Sequence, residues 1–307
     1  MTFDYQTLLE SNSHLERMKL SREAELPGAR GGAVRVLDEA KRRYCLKAAS
    51  SDAPPPRPGL EARFATLSRE LSFLESREEL TDNLLILGEV TAEKVWLLTR
   101  WVDLPNLHEA TKSLRLRGTA SNSDAASFCR LVCSVATKVG SLHEAGFVHG
   151  DLQPRHILID ASTGSVQLLD FELTHQPAEK QVRYSGGLVH YNAPEIAQLM
   201  LAGRHDIAID PLAEVYSLCS LLFFCLTGSV SGDYGNPDLT ATTLEAKLSQ
   251  IAQGRKNSFE STGISSHPAV VTLLSWGLQA ERSARCPSLA ELAESSRKIA
   301  DELGNGY

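Results

Sequence analysis

Two neighbouring stretches of the sequence pair a short apolar run with an aspartate, and they restrict the fold of this chain more than any other feature. The first, VHGDLQPRHILID, spans Val148–Asp160, and the second, VQLLDFEL, spans Val166–Leu173. Apolar runs of this length, bounded by polar turn residues, are typical of short strands. Two interpretations are open: Asp151 and Asp170 are a pair of catalytic carboxylates, or they stabilise the turns of two hairpins.

The composition indicates a soluble globular protein and argues against some classes of partner. The 307 residues are 42% hydrophobic and 22% charged, which is typical of a chain that buries a large core without disulfides or structural metals. The formal net charge of −7 argues against nucleic acid or an anionic membrane as a general partner.

Cysteine usage and apolar runs indicate a protein of the reducing cytoplasm. The six cysteines are scattered and form no C-x-x-C pair, which predicts buried free thiols rather than a zinc site. The longest apolar run, from Val215 to Val230, is too short and too rich in hydroxyl groups to cross a bilayer. It therefore predicts a buried core helix, and no membrane span is expected.

The chain changes from strand patterns to helix patterns near residue 101. Before that point, residues 1–22 have an amphipathic helical pattern, and AVRVL, YCLKA and NLLILGEVTAEKVWLLTRWV are strand-like. Between these strands, apolar residues from Leu60 to Leu74 recur at three- and four-residue steps, which predicts one long helix. The order predicts an N-terminal extension with a β-rich lobe over residues 1–101 and a mostly helical lobe over residues 102–307.

Three motifs in this order resemble the protein kinase family, whose members share H-R-D-L-x-x-x-N, D-F-G and A-P-E. The corresponding stretches are HGDLQPRH at His149–His156, DFE at Asp170–Glu172 and APE at Ala193–Glu195. Asp151 and Asp170 stand 19 residues apart, which suits a catalytic loop followed by a metal-binding aspartate. The resemblance runs from about residue 26 to about residue 292. It implies an α+β, bilobal protein kinase-like fold, with a small β-rich N-lobe that contains one long helix and a larger, mostly helical C-lobe.

The resemblance assigns roles to charged residues of the helical lobe. Asp151 takes the place of the catalytic aspartate, which accepts the hydroxyl proton or orients the nucleophile. Asp170 takes the place of the aspartate that holds Mg²⁺ against the phosphates of ATP. Glu195 is expected to form an ion pair with a late arginine, and Arg285 is the expected partner.

In the small lobe, YCLK matches the strand that carries the ATP-contacting lysine of the family. Lys47 is therefore expected to neutralise the α- and β-phosphates, with a glutamate of the long helix as its partner. Glu70 is the expected partner. Glu61 and Glu75 are alternatives, because the proline-rich loop before the helix obscures the count.

The stretch GARGGAV, from Gly28 to Val34, occupies the place of the glycine-rich loop but departs from G-x-G-x-x-G-x-V. With Val34 at the valine position, only Gly32 is in register. Gly28 and Gly31 still offer a flexible backbone that can approach phosphate. Val34, together with Cys45, is expected to line the adenine pocket as a small apolar residue.

The stretch VWLLTRWVDLPNL resembles the strand and hinge that lie beside the adenine in the family. Thr99 then falls at the gatekeeper position. Arg100, Trp101 and Val102 are expected to supply backbone hydrogen bonds to the base.

The catalytic loop departs from the family at three positions. Gly150 replaces the arginine that pairs with a phosphorylated activation loop, and Gln153 replaces a lysine that contacts the γ-phosphate. Arg155, two residues further along, is expected to supply the missing positive charge. His156 replaces the metal-binding asparagine. It is either a metal ligand, which favours Mn²⁺ over Mg²⁺, or a hydrogen-bonding spacer beside a single metal on Asp170.

Two further replacements concern the surroundings of the loop. Glu172 replaces the glycine of D-F-G and adds a carboxylate near the metal-binding aspartate. Glu214 replaces the aspartate that begins the central helix and holds the catalytic loop, and Asp210 is a candidate substitute for it.

The charged set of the family is complete at Lys47, Asp151 and Asp170, which favours an active enzyme. The expected activity is transfer of the γ-phosphate of ATP, with Mg²⁺ or Mn²⁺, to a hydroxyl of a protein or peptide, as in an atypical serine/threonine kinase. The stretch YSGGLVHYNAPEI resembles a peptide-docking platform and favours a protein substrate over a small molecule. A nucleotide-binding pseudokinase that serves as a scaffold and a small-molecule phosphotransferase are the alternatives.

Overall fold

The computed structural model describes residues 3–26, 33–50, 58–177, 188–204, 206–235 and 238–304, with side chains described from residue 63 onwards in the helix that begins at Pro58. The chain forms two compact units, residues 1–103 and residues 104–307. The division falls two residues after the one drawn from the sequence. The first unit is built around a β-sheet and the second is mostly helical.

The first unit contains a five-stranded antiparallel sheet with the strand order β1-β2-β3-β5-β4. Its strands are β1 (Ser21–Glu25), β2 (Ala33–Leu37), β3 (Arg43–Ser50), β4 (Leu85–Val90) and β5 (Lys94–Arg100). The sequence pattern does not indicate β1, because SREAE is almost entirely polar. Its place at the edge of the sheet is set by backbone pairing with β2.

The register of the central strands gives the sheet two different faces, because opposite residues of neighbouring strands point to the same side. One face, called here the Trp96 face, is mostly apolar. It carries Val34, Val36, Tyr44, Leu46, Ala48, Trp96 and Leu98. The opposite face, called the Lys47 face, carries Ala33, Cys45, Lys47 and Thr99.

Two short helices, α1 (Tyr5–Ser11) and α2 (Ser13–Arg17), cover the Trp96 face. Their apolar residues Tyr5, Leu8, Leu9 and Leu15 are buried in the same cluster as the sheet residues. The predicted helical character of the first residues is confirmed, but the helices end at Arg17 and the chain continues into β1.

Asn12 separates the two helices and ties them to the sheet. Its side-chain oxygen accepts hydrogen bonds from the backbone N–H groups of His14 and Leu15, and so it caps α2. Its Nδ2 donates to Glu89 Oε2 at 3.0 Å, and the same oxygen accepts a hydrogen bond from Trp96 Nε1 at 3.0 Å. One residue therefore both ends α1 and anchors the helices to β4.

The long helix α3 (Pro58–Ser76) contacts β3, β4 and β5, as the apolar periodicity of this stretch predicts. Leu67, Leu71 and Leu74 recur at steps of four and three residues and are all buried. β4 approaches the helix closely because Gly88 has no side chain: a Cβ at this position would collide with Leu71.

The second unit consists of helices and one two-stranded hairpin. Its helices are α4 (Leu107–Ala110), α5 (Lys112–Arg117), α6 (Asn122–Glu144), α7 (Pro194–Leu201), α8 (Pro211–Thr227), α9 (Leu244–Ala252), α10 (Pro268–Gly277) and α11 (Leu289–Gly304). The hairpin pairs β6 (Ile157–Ile159) with β7 (Val166–Leu168). Its two strands are the apolar runs of the two opening stretches, so these stretches form one hairpin rather than two.

Helix α8 is the centre of the second unit, and most of its residues are buried on every side. The prediction that the longest apolar run forms a buried core helix is therefore confirmed. Asp210 begins the helix by accepting a hydrogen bond from the Ala213 N–H at 2.8 Å, and Gly228 ends it with a φ of 75°. Among the described residues, the helices are either too short or too polar to cross a bilayer.

All six cysteines are free, as predicted, but only four of them are buried, since Cys45 and Cys133 are partly exposed. Burial raises the pKa of Cys225 to about 12 and that of Cys129 to about 11, which keeps both thiols protonated and unreactive near neutral pH. Cys219 packs against α10 where Gly277 leaves room, since a Cβ at Gly277 would collide with the Cys219 sulfur.

The covering of the Trp96 face predicts the effect of a single truncation in α2. Leu15 is fully buried, so we expect Leu15→Ala to lower the free energy of unfolding by roughly 2–5 kcal/mol through lost burial and a residual cavity. Leu116→Ala is the matched control, because Leu116 is 76% exposed, and it should change the value by less than about 0.5 kcal/mol. Urea unfolding measures both, and equal effects of the two variants would contradict the packing described here.

Candidate active site

A buried ion pair lies between the sheet and α3. Lys47 Nζ is 2.9 Å from each carboxylate oxygen of Glu70, and the two side chains are 11% and 2% exposed. The expected contact is therefore present. Of the alternatives, Glu75 is exposed, and the side chain of Glu61 lies outside the described residues. The carboxylate holds the ammonium group in one position on the Lys47 face.

The structure contradicts the expected position of Val34. Its partner in β3 is Leu46, so its side chain lies on the Trp96 face beneath the N-terminal helices. Ala33 is the residue opposite Lys47, and it is buried on the Lys47 face. Because strand side chains alternate with a period of two, a shift of one residue moves a side chain to the other face. The expectation that Val34 lines one pocket together with Cys45 is wrong, because Ala33 and not Val34 lies on the face that carries Cys45 and Lys47.

The corrected register also changes the count of glycines in the preceding loop. With Ala33 at the valine position of G-x-G-x-x-G-x-V, two glycine positions of the motif fall on Gly28 and Gly31, and Gly32 is no longer in register. The sequence therefore fits the motif better than an alignment on Val34 suggests. Gly28, Gly31 and Gly32 themselves lie outside the described residues.

Small residues occupy the Lys47 face near the end of β5. Cys45 is opposite Thr99 in the sheet, and the Thr99 hydroxyl donates to the Cys45 carbonyl oxygen at 3.5 Å. Thr99 is buried and Cys45 is partly exposed. This side of the sheet therefore presents short side chains beside the Lys47 ammonium.

The hinge after β5 has fewer available donors than its sequence suggests. The Arg100 N–H donates to the Leu84 carbonyl at 2.9 Å, and the Trp101 N–H donates to the Arg43 carbonyl at 3.2 Å. Only the Val102 N–H has no hydrogen-bond partner among the residues that the structure describes. The expected donor role therefore narrows to Val102.

The indole ring of Trp101 packs against the guanidinium group of Arg35, which lies in β2. The Arg35 guanidinium carbon is 5.1 Å from the centre of the Trp101 ring, and Arg35 Nε is 2.5 Å from Glu23 Oε2. Arg35 is opposite Cys45, so this stack lies on the Lys47 face. Glu23 of β1 holds the Arg35 guanidinium, and Arg35 in turn holds the indole ring of Trp101.

In the second unit, the catalytic loop follows α6 and passes through Gly150 with a φ of 76°. A Cβ at this position would lie 2.5 Å from the carbonyl oxygen of Leu173. The backbone conformation and the close approach both favour glycine here. The replacement of the family's arginine is thus a requirement of this backbone as well as the loss of a charge.

Glu214 holds the catalytic loop through the loop's own backbone. Its Oε1 accepts a hydrogen bond from the Gly150 N–H at 2.8 Å, and its Oε2 accepts one from the His149 N–H at 3.0 Å. His143 Nε2 lies 2.8 Å from the same Oε2. The expectation that Asp210 takes over this task is wrong, because glutamate at position 214 reaches the loop itself.

The charge of Glu214 is maintained in spite of its burial. Burial acts to raise the pKa of this carboxyl, but the hydrogen bond with His143, the nearby histidines and the Gly150 N–H outweigh it. The pKa of Glu214 therefore lies below its ordinary value of 4.5. An ionised carboxylate is the stronger acceptor for the two loop N–H groups.

Three candidate ligands converge at the end of the hairpin. Donor atoms of Asp151, His156 and Asp170 all lie within 4.8 Å of one another. His156 Nδ1 is 2.9 Å from the Asp151 carbonyl oxygen, and His156 Nε2 is 3.1 Å from Asp170 Oδ2. Two carboxylates and one imidazole nitrogen are a donor set that fits a divalent cation.

Backbone strain accompanies the position of Asp170. Its φ is 63°, in the left-handed region that non-glycine residues rarely occupy, although aspartate tolerates it better than most. Phe171, the next residue, is fully buried, and its ring is 5.4 Å from that of His149. Burial lowers the pKa of His149 and keeps this ring neutral. The buried aromatic contact holds the strained turn that presents Asp170.

The remaining loop residues differ in how firmly they are held. Gln153 Nε2 donates to Asp151 Oδ2 at 3.3 Å. Arg155 is exposed and forms no hydrogen bond or ion pair within the described part of the chain. Glu172 is buried. The expected positive charge of Arg155 is therefore present in the loop but not fixed in position.

The A-P-E segment is anchored by two arginines. Arg285 Nη1 and Nη2 lie 2.7 and 3.0 Å from the two carboxylate oxygens of Glu195, which is the expected pair. Arg282 was not expected: its Nη1 is 2.6 Å from Glu195 Oε1 and its Nη2 is 2.7 Å from Asp210 Oδ2. It therefore joins the segment to Asp210, the N-cap residue of α8, and no sequence motif indicates this link.

The hydrogen bonds that Glu214 accepts from the loop predict that its contribution to the free energy of unfolding depends on pH. Glu214→Gln replaces one accepting oxygen by an amide that cannot accept, so it should lower the free energy of unfolding at pH 7 by about 2–3 kcal/mol. Because the folded pKa of Glu214 is lowered, its contribution is complete above pH 4.5 and is lost as the pH falls through the folded pKa. The difference from wild type, measured by urea unfolding, should therefore shrink in acid.

The matched control for this substitution is Glu302→Gln, an exposed position near the end of α11. It should change the free energy of unfolding by less than about 0.5 kcal/mol at every pH. A Glu214→Gln effect of that size would show that the carboxylate does not hold the loop.

Comparisons with known proteins agree with the fold and the motif order. The model of the protein kinase domain matches residues 28–296. Ribosomal protein S6 kinase beta of Caenorhabditis elegans is 34% identical over 123 residues, which are 39% of this chain and 20% of that protein. A putative mitogen-activated protein kinase 14C of Drosophila melanogaster is 30% identical over 138 residues, 45% of this chain and 34% of that protein. The chain spans about a fifth to a third of the length of these relatives.

A solved structure shares the fold over almost the whole chain. The kinase PK-1 of the Cydia pomonella granulovirus superposes with a TM-score of 0.64 at 14% sequence identity, over 93% of this chain and 97% of that one. The domain model covers most of the 307 residues and includes both the Lys47 strand and the Asp151 loop. The chain belongs to the protein kinase family.

Proposed function

We propose that this chain is an ATP-dependent phosphotransferase that transfers the γ-phosphate to a hydroxyl of a protein or peptide, as an atypical serine/threonine kinase. The observation that carries the proposal is the convergence of Asp151, His156 and Asp170 on one side of the catalytic loop. A nucleophile-orienting carboxylate beside a candidate metal site is what phosphoryl transfer requires, because the protein's task is positioning and charge neutralisation.

Each of the three residues has a distinct role in this proposal. Asp151 orients the acceptor hydroxyl and takes its proton as the oxygen attacks the γ-phosphorus and the bond to the β-phosphate oxygen breaks. Asp170 and His156 hold Mg²⁺ or Mn²⁺. When bound, the metal neutralises charge on the phosphates. Arg155 supplies a further positive charge near the transferred group.

The first unit supplies nucleotide contacts in this proposal. Lys47, held by Glu70, contacts the α- and β-phosphates. The base lies against the small side chains of Cys45 and Thr99, with a hydrogen bond from the hinge at Val102. Gly28 and Gly31 give the loop before β2 a backbone that can approach phosphate.

The segment around A-P-E supports a protein or peptide as the acceptor. Leu152, Leu188 and Tyr191 line a cleft beside the Asp151 carboxylate in the second unit. Leu188 is 46% exposed, so it offers an apolar contact to a peptide beside this small cleft. The ion pairs of Glu195 with Arg282 and Arg285 fix the end of this segment. A fixed segment suits the docking of an extended peptide.

Nucleotide binding is the first expected outcome. ATP with Mn²⁺ or Mg²⁺ should raise the melting temperature, since a ligand at about 100 times its Kd stabilises the folded state by about 2.7 kcal/mol. Asp170→Asn should remove the metal-dependent part of the shift, measured against the variant's own ligand-free protein. Asp206→Asn, an exposed control, should keep it. The absence of any shift at millimolar ATP with either metal would refute nucleotide binding.

Phosphoryl transfer is the second expected outcome. With γ-labelled ATP and an array of serine, threonine and tyrosine peptides, Asp151→Asn should reduce the rate at least about a hundredfold, while Asp206→Asn stays within about twofold. A thermal shift with no transfer from the wild-type protein would favour the pseudokinase alternative. Label found only in small-molecule acceptors would favour a small-molecule phosphotransferase.

A further inference from the structure

The hydrogen bond of His156 to the catalytic loop determines which of its ring nitrogens can act as a ligand. Nδ1 is 2.9 Å from the Asp151 carbonyl oxygen, which can only accept, so Nδ1 carries the proton. In a neutral ring Nε2 is then the unprotonated nitrogen. The side chain is buried, so neighbouring groups and not solvent decide what this nitrogen contacts.

The contact partner of Nε2 is an anion. Asp170 Oδ2 lies 3.1 Å from Nε2, which places an oxygen lone pair opposite a nitrogen lone pair. This approach is favourable only when a positive centre lies between the two atoms or beside both of them. A proton between the two atoms makes an imidazolium–carboxylate pair, and a metal cation that both atoms ligate joins them without that proton.

The second shell of the ring favours the metal. A ligating histidine in proteins almost always donates its other ring N–H to a carboxylate or a backbone carbonyl, which fixes the tautomer and the orientation of the ring. His156 has this arrangement with the Asp151 carbonyl. The Asp151 carboxylate is a further anionic group nearby, since its Oδ2 lies 3.8 Å from His156 Nδ1.

We propose that His156 Nε2 and the Asp170 carboxylate form a mixed nitrogen–oxygen site that selects a first-row transition-metal cation such as Mn²⁺ over Mg²⁺. This inference rests on the proposed metal-binding role of Asp170. Mg²⁺ requires hard oxygen ligands in octahedral geometry, whereas imidazole is a suitable ligand for borderline cations. The selectivity therefore resides in one nitrogen atom of this chain.

The substitution His156→Asn tests the role of that nitrogen atom. An asparagine amide carries one N–H₂ donor and one oxygen acceptor, so it can keep a hydrogen bond to the Asp151 carbonyl while it replaces the nitrogen ligand by oxygen. His14→Asn is the matched control, because His14 is exposed in the short helix α2. Both variants are first compared with wild type by thermal unfolding in EDTA, which reports their folding in the absence of metal.

The test measures metal binding directly. Substoichiometric Mn²⁺ is added to each protein, alone and with ADP, and pulsed electron paramagnetic resonance detects coupling between the manganese electron spin and ligand nitrogen. We expect ¹⁴N coupling in wild type and His14→Asn and its loss in His156→Asn. Selective ¹⁵N-histidine labelling of wild type should replace the ¹⁴N signal by that of ¹⁵N, so the assignment stands even if His156→Asn folds poorly.

Competition with Mg²⁺ gives the selectivity. The wild-type ratio of Mg²⁺ Kd to Mn²⁺ Kd should be at least about tenfold higher than that of His156→Asn, within the range that changes at metal sites produce. An unchanged ratio without nitrogen coupling, or no bound Mn²⁺, would overturn the proposal and leave His156 as a hydrogen-bonding spacer. Nitrogen coupling in a protein that transfers no phosphate would refute the proposed enzyme activity and retain the metal site.

Discussion

The arrangement of the second unit depends on the buried carboxylate of Glu214. It comes from α8, the most buried helix of the second unit, and it accepts hydrogen bonds from two consecutive N–H groups of the catalytic loop. A loop has few internal bonds of its own, so its shape must be imposed from a rigid element. Glu214 imposes it, and His143 Nε2 on α6 lies 2.8 Å from the same carboxylate.

Helix α8 also supports the A-P-E segment, Ala193–Glu195. Asp210 caps α8 and also binds Arg282, and Arg282 shares the carboxylate of Glu195 with Arg285. Burial acts to raise the pKa of Glu195, but the hydrogen bond and charge of Arg285 outweigh it and lower the pKa. Loop and A-P-E segment therefore share one support, and a disturbance at the start of α8 reaches both.

Much of the fold and of the catalytic loop could be predicted from the sequence, since both depend on local periodicity and on motif spacing. The buried helix α8 and the pair Lys47–Glu70 follow from such patterns. The side of the sheet that each β2 side chain faces could not be predicted in this way, because the neighbouring apolar residues Ala33 and Val34 are compatible with either register. Only pairing with β3 decides between them.

Polar contacts between residues far apart in the chain could not be predicted from the sequence either. Arg282 lies 72 residues from Asp210, and a surface arginine beside an acidic residue is too common to identify such a link. The reach of Glu214 depends on one extra methylene group relative to aspartate and on where the loop lies. The local sequence pattern gives neither the length of this reach nor the position of the loop, and so the expectation for Asp210 was wrong. Strand β1 was missed for a different reason, because its sequence is almost entirely polar.

The N-terminal helices have a consequence for what counts as a domain in this chain. The protein kinase domain model matches from residue 28, yet the apolar sheet surface of the matched stretch is covered by residues 5–18, which lie outside it. The stretch that the domain model matches and the unit that packs together therefore have different boundaries. A fragment cut at the homology boundary would carry an uncovered sheet surface prone to self-association, and its behaviour in solution would say little about the kinase fold itself.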